Sequence, residues 1–251
     1  MAREPSELVK LLKAMNRKER YWLMRDALGV SSEGLSDSFR KKISAEIGKD
    51  IPCDAYWGLD YHLDWIAVAL RLLECGHSEI SNDGSYRDIT VTNDFNGADN
   101  TKSELLRGSQ QDADLLIAFE NTIVIVEAKA DGSWDREQMY GKVQRLREIS
   151  ALAQGCQPEV KIVLVLSSPK PTNVHKPTGK YEDKWPDWAL RQMTGETKGS
   201  SPNHVHLPYG EEGGFLVQPQ RYDRDESSEK ARYKRVKFIR KKYSKDWDRS
   251  G

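Results

Sequence analysis

The sequence has few of the features that mark membrane, secreted or disulfide-bonded proteins. Its longest uninterrupted apolar run is six residues, Trp65 to Leu70, far below the roughly 20 residues that a membrane-spanning helix needs. The first residues, MAREPSEL, contain no apolar segment of the kind found in secretory signals. The three cysteines are odd in number and far apart, which fits neither a disulfide framework nor a zinc knuckle. We therefore expect a cytoplasmic protein that has no membrane partner.

An excess of charge of one sign is also missing, because 39 Lys and Arg residues balance 39 Asp and Glu residues. Binding to nucleic acid would therefore depend on local segregation of charge. The segment from Lys230 to Lys245 holds nine basic residues, no acidic residue and three aromatic residues. It predicts contacts to phosphates and bases, and a solvated helix or tail is the alternative. The residues expected to bind nucleic acid there are Lys234, Arg235, Lys237, Arg240 and Lys241.

The 251 residues fit one domain of ordinary size with extensions. Residues 1–50 are predicted to form a helical N-terminal cap, because Leu8, Leu11, Leu12 and Met15 have the spacing of one helix face. Residues 51–168 are predicted to form an α/β core. Residues 169–251 are expected to form an irregular C-terminal extension that ends in the basic tail.

The predicted core begins with a helix and a short strand. Apolar residues recur at intervals of four and three along this helix, which ends at Gly76. They are Leu59, Leu63, Ile66, Leu70 and Leu73. The alternating residues Asp88 to Thr92 then predict the first strand.

The rest of the predicted core is a hairpin, a helix and a final strand. The apolar runs Leu115–Phe119 and Ile123–Val126 are separated by a turn-length segment, which indicates a hairpin. A helix with a buried stripe from Met139 to Ile149 follows, and the run Ile162–Leu166 is typical of a strand covered on both faces. The order helix, strand, strand, strand, helix, strand predicts a mixed sheet flanked by helices.

Acidic and basic side chains occur at the open end of this hairpin. Asp114 begins one strand, and Glu127, Ala128 and Lys129 end the other. Because side chains alternate along a strand, Glu127 and Lys129 share a face, and the hairpin places Asp114 beside Glu127. Desolvated carboxylates are costly unless a cation neutralises them. A surface ion pair at a strand end is the alternative interpretation.

A divalent cation suits this pair of acids, since Mg²⁺ typically takes one or two protein carboxylates. The sequence predicts Asp114 and Glu127 as ligands of Mg²⁺, or of Mn²⁺ in its place, with the Ala128 carbonyl as a further ligand. Lys129 would position the attacking water and stabilise charge in the hydrolysis of a phosphodiester. The Glu-x-Lys triplet alone carries little weight, because it occurs at three other places in the chain.

The segment DADLLIAFENTIVIVEAKAD, residues 112–131, resembles the core motif of the PD-(D/E)xK nuclease superfamily. It is most similar to the restriction-endonuclease-like and Holliday-junction-resolvase-like branches, and it covers under half of the chain. The resemblance implies an αβββαβ core with a mixed central sheet, and catalytic roles for Asp114, Glu127 and Lys129. Ala113 stands where the motif has proline.

The resemblance implies further site residues on the two helices. A metal-binding acid often comes from the helix before the first core strand, where Asp64 is the candidate and Asp60 the alternative. A glutamine on the later helix supports catalysis in some branches, and Gln138 has a comparable position. Lys142, one turn further, is expected to contact nucleic acid. Asp112 is a second choice as a ligand.

Together these features predict a Mg²⁺-dependent endonuclease whose expected substrate is DNA, of a restriction, defence or repair type. The resemblance also implies that two copies of the protein form a homodimer. The alternative is a non-catalytic module on the same fold that binds nucleic acid or another protein. His204 and His206 could hold a metal, but a strand-edge pair without function is the preferred interpretation, because no third ligand is near in sequence.

Overall fold

Strands form a mixed sheet, and helices pack on both of its faces. The structure is a computed structural model. It describes residues 5–15, 34–76, 89–97, 101–108, 111–129, 136–168, 190–192, 198–207, 216–225 and 232–241. The helices are α1 (Glu7–Met15), α2 (Asp37–Ile47), α3 (Leu63–Glu74) and α4 (Arg136–Gly155). The strands are β1 (Tyr56–His62), β2 (Asp94–Asn96), β3 (Lys102–Glu104), β4 (Asp112–Phe119), β5 (Thr122–Ala128), β6 (Lys161–Ser168), β7 (Leu190–Gln192), β8 (Lys198–His206), β9 (Leu216–Asp225) and β10 (Arg232–Lys241).

The main sheet has the strand order β1-β4-β5-β6-β8-β7. Strand β4 is antiparallel to both β1 and β5, while β5, β6 and β8 run parallel to one another. Strand β7 is antiparallel to β8 at the other edge. The pairs β2-β3 and β9-β10 form two small antiparallel sheets. The carboxyl ends of the parallel strands β5, β6 and β8 therefore lie side by side, at the same end of the main sheet.

The predicted hairpin is confirmed as β4 and β5. Its register joins Leu115 to Val126 and Phe119 to Thr122. The connection is tight, and Glu120 adopts a positive φ of 49° there. Aliphatic residues on both faces of β5 are buried, as expected of a central strand.

The two faces of the sheet are covered by different helices. On one face, Ile43 and Ile47 of α2 pack against residues such as Val124 and Val163. On the other face, α1, α3 and α4 pack against alternate residues such as Ile125 and Leu164. The predicted stripe of the later helix is confirmed, because Met139, Val143, Leu146 and Ile149 are all buried.

The beginning of the predicted core is wrong in two places. Tyr56–His62 is strand β1, so the helix predicted from Leu59 begins only at Leu63. The strand predicted at 88–92 is also wrong, because residues 89–92 have no regular structure and Asp88 lies outside the described residues. The reason is pairing: β1 has β4 as a partner, whereas Ile89 is 39% exposed and the segment has no strand beside it in the described part of the chain.

The mixed α/β class is confirmed. The domain boundaries at residues 50 and 168 stay predictions, although β8, beyond the second boundary, pairs directly with β6.

Among the helices that the structure describes, none combines the length and apolar character needed to cross a bilayer. All three cysteines are free thiols, and Cys156 is the buried one.

Candidate active site

The hairpin brings Asp114 to the end of strand β5. Continuing the β4-β5 register one residue past the pair Leu115–Val126 sets Asp114 opposite Glu127. The Asp114 carboxylate extends along the partner strand, and its Oδ2 accepts a hydrogen bond of 2.7 Å from the backbone N–H of Ala128. The predicted juxtaposition of the two acids is therefore present. For Ala128, the described contact is made by the N–H group rather than by the predicted carbonyl.

Glu127 is a buried carboxylate that has one cation beside it. Only 3% of the residue is exposed. Its Oε2 accepts a hydrogen bond of 2.5 Å from Nζ of Lys142, whose side chain is 16% exposed. Its Oε1 is buried and has no hydrogen-bond partner among the described residues. One oxygen of this carboxylate therefore has a hydrogen-bond donor, and the other, which is buried, has none among the described residues.

The pKa of Glu127 is raised from 4.5 to about 7. Loss of solvation on burial is the main cause, and the negative charge of Asp114 adds to it. The Lys142 ammonium lowers the pKa through its charge and its hydrogen bond, but offsets only part of the increase. The ion pair with Lys142 therefore offsets only part of the cost of burying the ionised Glu127 carboxylate.

Lys129 follows the last residue of β5, and its backbone is fixed by the neighbouring strand. Its N–H donates to the Ser167 carbonyl at 2.8 Å, which continues the β5-β6 ladder past Ala128. Strand alternation then places the Lys129 side chain on the face of Glu127. Lys129 is half-buried, and within the described part of the chain its ammonium group makes no ion pair or hydrogen bond.

Asp64 belongs to a different set of contacts. It lies in the first turn of α3 and is 3% exposed. Its Oδ1 accepts from Nη2 of Arg145 at 2.7 Å, and its Oδ2 accepts from the backbone N–H of Arg107 at 2.8 Å. Both oxygens already have donors, so an ion pair accounts for the burial of this acid. Asp60 was expected on the same helix face and is instead a residue of β1 with a φ of 48°.

The metal role predicted for Asp64 stays a prediction. In the described ranges, no group of three or more His, Cys, Asp and Glu side chains is arranged to hold a metal ion. Asp64 therefore does not join Asp114 and Glu127 in such a group. The two acids of the hairpin alone still match the one or two carboxylates that Mg²⁺ typically takes from a protein.

Helix α4 contributes a site residue whose role differs from the predicted one. Lys142 was expected to contact nucleic acid, and it is found against Glu127. A search for a basic residue three or four positions after Gln138 could have identified Lys142. Its contact with Glu127, however, depends on how α4 is rotated on the sheet. Gln138 lies in the first turn of α4, and its side chain is outside the described part of the structure.

The remaining candidate residues lie on later strands. Lys234, Arg235, Lys237, Arg240 and Lys241 are all positions of β10, which pairs with β9, and Arg235 is exposed. His204 and His206 are in β8, beside β6 rather than at the edge of the sheet. Nε2 of His204 lies 2.9 Å from Oγ of Ser168.

Comparisons of the chain with protein-family models, with curated proteins and with solved structures find no match.

Proposed function

We propose that the protein is a Mg²⁺-dependent endonuclease that hydrolyses phosphodiester bonds in DNA, with Mn²⁺ as a substitute cation. The observation that carries the proposal is the buried Glu127 carboxylate, which has one oxygen without a described hydrogen-bond partner and lies beside Asp114 where β4 begins and β5 ends. A second carboxylate next to such a group is unfavourable unless a cation is shared between them. A divalent ion compensates both charges at once.

The order of elements supports the same proposal. Along the chain, α2, β1, β4, β5, α4 and β6 follow the αβββαβ order that the sequence resemblance implies, although the first helix is then α2 of the predicted N-terminal cap and not the helix predicted within residues 51–168. Residues 63–108, which include α3 and the β2-β3 hairpin, are inserted between the first and second of these strands. The proposed site lies at the second and third strands, where the motif of the resemblance falls.

Each residue of the site has a role that follows from its place. Asp114 and Glu127 would hold the ion, which when bound supplies Lewis-acid stabilisation of the charge that develops on the phosphodiester. Lys129, on the same face, would position the attacking water and stabilise negative charge in the transition state. Lys142 holds the Glu127 carboxylate in place through its ion pair. Gln138, on the same helix, would support the site.

DNA is the substrate implied by the resemblance, and the basic strand β10 supports a nucleic-acid partner. Positions such as Lys234, Arg235 and Lys237 would contact backbone phosphates. Because the net charge of the chain is zero, such binding would depend on this local excess and would weaken as salt is added.

The test is cleavage of supercoiled plasmid by the full chain, with Mg²⁺, with Mn²⁺ and with EDTA. We expect nicked or linear plasmid only when a divalent cation is present. Lys129→Ala should reduce the cleavage rate roughly 100-fold or more, because it removes a charge aimed at the transition state. Lys161→Ala is the matched control, since this exposed lysine lies at the opposite end of the sheet, at the start of β6. It should cleave like the wild type.

Binding and cleavage must be separated in the same experiment. Lys129→Ala should still bind plasmid or duplex DNA when EDTA is present. Binding without any metal-dependent cleavage by the wild type would favour a non-catalytic nucleic-acid-binding module. Equal cleavage by the wild type and by Lys129→Ala would contradict the assigned role of Lys129.

A further inference from the structure

Polar residues of two further strands lie on the same face of the sheet as the candidate site. Glu127 of β5 pairs with Leu166 of β6, which pairs with His204 of β8. Lateral neighbours in a parallel sheet point to the same face. Leu166 belongs to the apolar core on the α4 side, the side from which Lys142 reaches Glu127. His204 therefore shares the face of the site.

A second row runs parallel to the first, two residues further along each strand. The Lys129 N–H donates to the Ser167 carbonyl at 2.8 Å, so the β5-β6 ladder extends to set Lys129 beside Ser168. Ser168 in turn pairs with His206. Since neighbouring strands lie about 4.8 Å apart, His206 is two strand steps, or roughly 10 Å, from Lys129.

One direct side-chain contact joins the two rows. Oγ of Ser168 lies 2.9 Å from Nε2 of His204, and Ser168 is 3% exposed. His204 and His206 are two residues apart in β8, so their side chains lie on the same face of the sheet. The pKa of His204 is lowered, first by burial and then by the charge of His206. His204 is half-buried and His206 is exposed. We call His204 and His206 the histidine shelf.

We propose that the histidine shelf binds the backbone phosphate next to the scissile one, with Ser168 as the positioning residue for His204. This inference rests on the proposed nuclease function and names a second contact for its substrate. When Nε2 accepts from the Ser168 hydroxyl, Nδ1 of His204 carries the proton and is a donor to a phosphate oxygen. A neutral His204 imidazole that keeps one N–H can donate a hydrogen bond to a phosphate oxygen at neutral pH.

The surroundings favour a phosphate over a metal ion on the shelf. One ring nitrogen of His204 is already engaged by Ser168. Within the described ranges, no third His, Cys, Asp or Glu side chain is placed to hold a metal ion together with this pair. The nearby Glu46 carboxylate accepts from the backbone N–H of His204 at 2.9 Å and not from its ring. The Lys129 ammonium stands in the same row, and its charge attracts an anion and repels a cation. A nucleic-acid strand that crosses from β5 toward β8 would meet these groups in succession.

The test compares a substrate that has many phosphates with one that has a single phosphate. The full chain is assayed in Mg²⁺ on duplex DNA and on bis(p-nitrophenyl) phosphate, a diester with no neighbouring phosphate. His206→Ala and Ser168→Ala should raise KM for DNA roughly tenfold with little change in kcat, the size expected for losing a hydrogen bond to a charged group. Neither variant should change hydrolysis of the single diester. Lys161→Ala serves as the control.

Three results would count against a phosphate on the shelf. An unchanged KM for DNA, or an equal loss on both substrates, would overturn the proposal, because the shelf would then be idle or merely structural. Zn²⁺ binding that is lost in His206→Ala, with KM for DNA unchanged, would make the shelf a metal site instead.

Failure of the nuclease proposal can be told apart from failure of the shelf. If the wild type cleaves neither substrate, the nuclease proposal fails. The phosphate contact of the histidine shelf is then tested by DNA binding alone, measured as the fluorescence anisotropy of labelled DNA in EDTA. Weaker binding by His206→Ala than by the wild type supports the contact, and equal binding overturns it.

Discussion

Glu127 combines burial, a charged neighbour and an oxygen without a described partner. Burial of a carboxylate favours its protonated form, which is why its pKa is raised to about 7 although Lys142 is in contact with it. Near neutral pH the free site therefore exchanges readily between a protonated and an ionised acid. A bound divalent ion would favour the ionised form, because a carboxylate must lose its proton to be a ligand.

This pKa predicts how stability depends on pH in the metal-free protein. Between pH 4.5 and 7 the folded chain keeps a proton on Glu127 that the unfolded chain releases, so the contribution of Glu127 to the free energy of unfolding falls as pH rises. The fall is on the order of 3 kcal/mol. Glu127→Gln should remove it, so the variant gains stability relative to the wild type as pH rises.

Urea denaturation in EDTA at several pH values measures this effect. Glu159→Gln is the matched control, because Glu159 is exposed in the segment between α4 and β6, and it should follow the wild type. A difference between Glu127→Gln and the wild type that stays constant from pH 4.5 to 8 would contradict the raised pKa.

At the scale of elements, helix α4 ties the inserted hairpin to the core. Arg145 of α4 is 1% exposed. Besides Asp64, its guanidinium contacts the end of β3: it donates to the carbonyl of Glu104, the last residue of that strand, at 2.7 Å and to that of Leu105, which follows, at 2.6 Å. Glu148, one turn later, accepts from Nη2 of Arg107 at 2.6 Å. The same helix thus anchors the insertion through Arg145 and contacts the candidate site through Lys142.

Replacing Arg145 should be among the most destabilising changes outside the apolar core. Arg145→Met leaves the Asp64 carboxylate buried without its charge partner, and should cost about 3–5 kcal/mol of unfolding free energy. Adding Asp64→Asn should recover part of the loss, because it removes the buried charge. Chemical denaturation of the single and double variants measures this, and a cost below about 1 kcal/mol for Arg145→Met would show that the pair is not structurally important.

The elements that could be predicted from sequence are those whose pairing is local. The β4-β5 hairpin was predictable because two aliphatic runs flank a turn-length segment, and α4 because its apolar stripe is regular. Strand β1 was missed because Leu59 and Leu63 continue the helical spacing of α3 backwards. Its partner β4 begins 50 residues after β1 ends, so nothing nearby in sequence indicates the pairing.

The candidate site was predictable to a similar extent. Asp114 and Glu127 follow from the hairpin alone, since strand register decides their proximity. The contact of Lys142 with Glu127 and the pairing of Asp64 with Arg145 depend instead on how α3 and α4 are rotated on the sheet. Side-chain packing across distant segments sets those rotations, and the sequence pattern does not reveal them.

In the whole molecule, the groups named in the two proposals lie together at one end of the strands of the main sheet. The parallel strands β5, β6 and β8 end there, and the antiparallel β4 begins there. Helix packing on both faces fixes these strands, so the acids, the lysine and the histidine shelf are held by the core rather than by loops. Sites on such rigid elements keep their geometry better than sites on loops.

The most direct test is a calorimetric titration of the full chain with Mn²⁺, followed by Mg²⁺. We predict that the wild type binds a divalent cation, and that Asp114→Asn and Glu127→Gln each abolish this binding. Asp94→Asn, an acid-to-amide control in the exposed part of β2, should bind like the wild type. Cation binding that survives in both Asp114→Asn and Glu127→Gln, or that is missing from the wild type, would contradict a metal centre at the end of the hairpin.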